Sequence, residues 1–174
     1  MPRILARKMK KTFVKGLSES DSLSEIFELV KIAVHESKGV RRPGLMLGLV
    51  DMGTSNEGFI GAFHPVGSNF ILMNQTPLKK VSQKNPKLYK PYVFHILLHE
   101  YLHSLGMRDE DVTRKAVRDI SKKLFGNKNV VTQMAKNFNK FFPDFAYPTS
   151  KLELGDLKIT IVSDFESSSA PYLR

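Results

Sequence analysis

The chain has 174 residues, of which 41% are apolar and 10% aromatic, enough for one folded domain with its own core. It contains no Cys, which excludes disulfides, thiolate metal ligands and a Cys nucleophile. Its 27 basic and 17 acidic residues give a net charge of +10, no apolar run approaches the roughly 20 residues of a bilayer span, and the charged first residues lack the apolar stretch of a secretory signal; the expectation is a soluble, cytoplasmic protein that does not enter the membrane.

Residues 1–19 read as a basic arm or a short edge element, with Arg3, Arg7, Lys8, Lys10, Lys11 and Lys15 preceding any acid. Ser22 and Glu25 form a capping box ahead of Leu23, Ile26, Phe27, Val30, Ala33 and Val34, whose helical spacing predicts a helix that Gly39 ends. Leu45–Val50 is a continuous apolar run, read as a buried strand, and 51–58 is a loop by composition. Phe59–Phe63 and Asn69–Met73 read as two further strands, so a small sheet with at least one antiparallel pair is expected.

Residues 76–91 read as a basic, Pro-containing connection, with Pro91 in the first turn of a helix over Tyr92–Leu105 that Gly106 ends. Asp109 can cap the next helix, with Val112, Ala116, Val117, Ile120 and Leu124 on its apolar face and Gly126 at its stop. A third helix is predicted over 130–142, with Val131, Met134, Ala135, Phe138 and Phe142 inward, and a strand over Leu157–Val162. The fold class is α+β.

The chemistry concentrates in His95-Ile-Leu-Leu-His99-Glu100-Tyr101-Leu102-His103-Ser104-Leu105-Gly106-Met107-Arg108-Asp109-Glu110. His99 and His103 lie four apart, so a helix puts both imidazoles on one face, where they can share one Zn²⁺. Glu100, directly after the first ligand, falls beside the open metal position and can act as general base. His95 is read as a neighbour, since no Glu follows it. A catalytic zinc needs a third protein ligand. Asp109 leads, because Gly106 lets the chain turn back, although an N-cap role competes for it. Glu110 is the alternative, with its longer reach from the first turn of the next helix; Asp111, Asp119 and His64 are more remote candidates.

The pattern His99-Glu100-x-x-His103-x-x-Gly106-x-x-Asp109 resembles the zincin metallopeptidases. Its Gly and acidic residue resemble the elongated metzincin pattern in the Asp form, while the small size and β-β-helix layout are more similar to the minimal archaeal zincins, the minigluzincins, in which a Glu from a later helix completes the site. The resemblance covers about residues 45–125. It implies a zincin-like fold, with a small mixed sheet packed on an active-site helix and further helices: a basic arm over 1–19, a catalytic domain over 20–146, and a C-terminal strand and tail over 147–174. It also implies a substrate strand added to an edge strand, Asn69–Met73 or Gly61–His64, with Asn69 and Ile71 as substrate-binding candidates.

The expected function is therefore a metallopeptidase with one Zn²⁺ and a peptide or protein substrate. Tyr147, His64 and Tyr92 are candidates to steady the oxyanion, and Asp164, Glu166 or the Arg174 carboxylate to block the metal in a latent form. A second expectation is association with nucleic acid, as a recruited peptidase or a non-catalytic metal-binding module. It would use Lys79, Lys80, Lys84, Lys87, Lys90 and the N-terminal arm, in a stretch over 58–99 that has no acid. A solvated, solubilising face is the plainer account of those charges.

Overall fold

A computed structural model of the chain describes residues 3–53, 58–146 and 156–162. Among these residues seven helices accompany a small mixed sheet: α1 (Arg3–Glu19), α2 (Leu23–Lys38), β1 (Met46–Val50), β2 (Ala62–Phe63), β3 (Phe70–Asn74), α3 (Gln75–Lys84), α4 (Pro86–Ser104), α5 (Glu110–Phe125), α6 (Val130–Lys136), α7 (Phe138–Phe141) and β4 (Thr160–Ile161). The architecture is α+β.

The basic N-terminal segment is a helix of 17 residues and not an extended arm. Met9, Phe13 and Leu17 recur every fourth residue, so they share one stripe. Phe13 and Leu17 are buried in the main core, where Phe13 meets Phe125 edge to face at 6.0 Å. The lysines occupy the wet side. At α2 the Ser22 side chain accepts the Glu25 N–H, as the capping pair predicts, and Gly39 closes the helix in the left-handed conformation.

The sheet order is β2-β3-β1-β4, with β1 parallel to β3 and both outer pairs antiparallel. The sequence reading of Asn69–Met73 as an edge strand is therefore corrected: β3 is interior, paired on both sides, and Ile71 is a core residue. The edges belong to β2, within the alternative segment Gly61–His64, and to β4. One sheet face, with Leu47, Ile71 and Met73, joins the helical core; the other buries Val50, Phe63 and Leu72 under Leu157 and Ile159. Gly48 permits that second layer, because a Cβ there would lie 2.5 Å from Leu72 and 2.8 Å from Ile159.

The stretch read as a connection over 76–91 is helical instead. Asn74 caps α3 by accepting the Thr76 N–H, Pro77, Leu78 and Val81 turn inward, and Pro86 opens α4. Pro91 thus lies inside α4. This helix is buried on nearly all sides, packing against α2, α3, α5 and α6, which is why its apolar residues show no single stripe. The helix predicted over 130–142 breaks at Asn137, whose side chain caps α7. Val112 is 53% exposed rather than inward.

Candidate metal centre

The site forms where α4 ends and α5 begins. At the end of α4, Gly106 (φ +95°) takes a conformation that L side chains rarely adopt. Its N–H bonds the His103 carbonyl at 2.9 Å and the Met107 N–H bonds the Leu102 carbonyl at 3.2 Å, the pair of bonds of a Schellman motif. The reversed chain brings the Met107 carbonyl back to His103, 2.6 Å from Nδ1. A carbonyl only accepts, so Nδ1 carries the proton and donates it, which leaves the His103 Nε2 lone pair for another partner.

Two residues later Asp109 caps α5, accepting the Val112 N–H at 2.9 Å. That bond occupies Asp109 in ending the turn, and the carboxylate that reaches the histidines is Glu110. The Glu110 oxygens lie 3.2 Å from His99 Nε2 and 2.9 Å from His103 Nε2, and the two imidazole nitrogens are 3.0 Å apart. The structure thus brings His99, His103 and Glu110 together as a group that could hold a metal ion. It puts Asp109, the leading candidate, at a helix cap, so the acid that converges with the histidines is the alternative, Glu110.

The donor set fits a small divalent cation. Imidazole nitrogens and a carboxylate oxygen at about 2.0–2.2 Å from a tetrahedral ion would sit roughly 3.3–3.6 Å apart, so the three donors need to spread by only a few tenths of an ångström to take one. With Nδ1 bonded to the Met107 carbonyl, Nε2 is the His103 atom turned to the Glu110 carboxylate, as a shared cation would need. His99 is buried at the base, His103 is partly buried, and Glu110 is half open to solvent.

Burial lowers the pKa of His99, against the opposing effect of the Glu110 bond. The bond from His99 holds Glu110 below the usual carboxylate range, with His99, His103 and Arg114 adding to the effect against its partial burial. Glu100 is buried too. Burial first and the Glu110 charge second raise its pKa well above the ordinary value, while the His64 backbone N–H, bonded to the carboxylate, opposes them. Edge strand β2 therefore leads directly to Glu100.

The other predicted residues fall elsewhere. His95 is buried and stacks on Phe138 at 4.6 Å, a neighbour as expected. The His64 ring donates from Nδ1 to the Phe70 carbonyl at 2.7 Å, with Nε2 3.4 Å from Arg42. Asn69 accepts from the same Arg42 at 3.3 Å. Tyr92 is a core residue against Phe142. Asp111 and Asp119 are exposed on α5. Tyr147, Asp164, Glu166 and Arg174 lie outside the described residues.

Two residues went unread in the sequence. Arg42 donates to the Ser104 and Ser68 carbonyls and so ties the end of α4 to the β2–β3 turn; no local pattern signals so distant a contact. Arg114 lies 3.9 Å from Glu110, and its place four residues after that acid was visible. Comparison with protein-family models, curated proteins and solved structures finds no match for this chain.

Proposed function

We propose that the protein is a zincin-like, zinc-dependent metallopeptidase, with the metal held by His99, His103 and Glu110 and with Glu100 as general base. The observation that carries this reading is the convergence of the three donors within 3.2 Å of one another, beside a buried carboxylate on the same helix. Three protein ligands leave a tetrahedral ion one open position, the mark of a catalytic rather than a structural site. Zinc bound there supplies Lewis acidity, acidifying water and polarising a carbonyl.

The chain's own residues do the rest. Glu100 takes the proton from the attacking water and passes it to the leaving nitrogen. Met107 fixes the His103 tautomer, and the His64 N–H steadies the Glu100 carboxylate. β2 lies at an edge of the sheet, where an extended substrate backbone could pair with it and run past Glu100. The test is elemental analysis of the purified protein alongside hydrolysis of an unstructured protein. About one zinc per chain and chelator-sensitive cleavage are expected; a chain that takes up zinc and cleaves nothing would refute the peptidase.

Recruitment to nucleic acid is a second reading, favoured by the exposed Lys79, Lys80, Lys84 and Lys87 along α3 and the start of α4. Lys90 is committed elsewhere, donating to the Ser18 carbonyl at 2.6 Å. Four phosphate contacts predict a loss of affinity of roughly 100-fold between 50 and 200 mM salt. DNA binding indifferent to salt, or none at all, would remove this reading and leave the peptidase intact.

A further inference from the structure

Beside the metal centre lies a cavity of about 210 Å³ that no part of the chemistry above uses. It begins at His99 and runs outward along α5 to α6 and α7, lined by Arg114, Arg118, Lys136, Asn137 and Asn139, with His95 in its wall. A bound cofactor or drug-sized molecule commonly needs roughly 300–1,000 Å³, so the space suits one side chain or a chain end. No acidic residue lines it.

Its charge is arranged by helical spacing. Glu110, Arg114 and Arg118 lie at four-residue intervals and share one face of α5. The first reaches the histidines, the second lies 3.9 Å from that carboxylate, and the third is exposed at the far end. Lys136, which donates to Asn127, adds a positive charge from α6. A second observation comes from His95. It is 5% exposed, and its Nδ1 has no hydrogen-bond partner among the described residues. A polar ring atom enclosed in this way is costly unless something arrives to bond it.

We infer that this cavity is a subsite for a carboxylate of the substrate, either an acidic side chain or a free C-terminus close to the bond that is cut. The choice of a peptide carboxylate rests on the peptidase reading. The planar guanidinium groups of Arg114 and Arg118 match a carboxylate in shape as well as charge. Asn137 and Asn139 supply neutral hydrogen-bonding groups at the rim. The metal centre and this subsite together would make the protein selective for acidic sequences in spite of its unremarkable edge strand.

The experiment measures binding, not turnover. Zinc-loaded Glu100→Gln protein is titrated into labelled peptides, followed by fluorescence anisotropy. One pair differs only in an internal Glu or Gln, and a second only in a free or amidated C-terminus. At least about tenfold tighter binding of the charged member is expected in one pair, and that pair identifies the source of the carboxylate. Arg118→Ala with Lys136→Ala, in the same background and with zinc content unchanged, should reduce the preference to within about twofold. Equal binding within both pairs, a preference that survives the double substitution, or no binding of any peptide would overturn the subsite. Zinc content and cleavage by the unaltered protein are read separately, so failure of the peptidase reading would be distinguishable.

Discussion

Along α4, His95 and the pair His99–His103 share one spacing and meet opposite circumstances. His95 stacks on the ring of Phe138 in the wall of the cavity between α5 and α7, and burial drives its pKa down to about 3. One and two turns later the same side chain faces the start of α5, and a carboxylate is waiting. The helical period decides which residues share a face. The partner across the gap decides whether an imidazole is packing or a ligand. Asp109 and Glu110 repeat the lesson in adjacent positions, one spent on a helix cap and the other turned to the histidines.

The sharpest test of this contrast removes the proposed general base. Glu100→Gln should keep zinc and lower the rate of peptide hydrolysis by about 10²–10⁴-fold; activity within a few fold of the parent would overturn the mechanism. Next, the adjacent acids can be separated by dialysis against a graded chelator. Glu110→Ala should weaken zinc by more than the roughly 10–100-fold that loss of an outer partner costs. Asp109→Ala should leave the metal nearly as tightly held, and the reverse order would return Asp109 to the ligand set.

His95→Phe tests the packing side. The unfolded histidine titrates near 6.5 and the folded one near 3. Between those values the unfolded chain binds the extra proton, so this site costs stability as pH falls through 6.5 and costs nothing above it. Urea unfolding at pH 7.5 and 5.0 should show the variant losing about 1–2 kcal/mol less than the parent over that interval. Equal losses would mean that His95 is not the group responsible. The smallest effect belongs to the cap: Asp109→Ala should cost about 1 kcal/mol in the same assay.

Much of this was legible in the chain. The helix around His99, the stop at Gly106, the cap at Asp109 and the strand over Leu45–Val50 all follow from local rules of spacing and turn chemistry. What escaped was of two kinds. The helix α1 was hidden by its lysines, although Met9, Phe13 and Leu17 already marked its buried stripe. Similarly, Pro77 and the lysines of α3 obscured Leu78 and Val81. Strand order is a different matter. Nothing local says that β3 lies between β1 and β2, because that follows from which strands meet after the chain has folded.

The turn at Gly106 carries a further consequence. The three donors it brings together lie within the twelve residues from His99 to Glu110, a closeness in sequence that persists when the chain is denatured. Zinc would therefore retain some grip on the disordered chain, and whatever it gains there is subtracted from what it adds to the native state. A metal gathered from distant segments would act as a fastener for the whole molecule; one held this locally is closer to a tool carried by it.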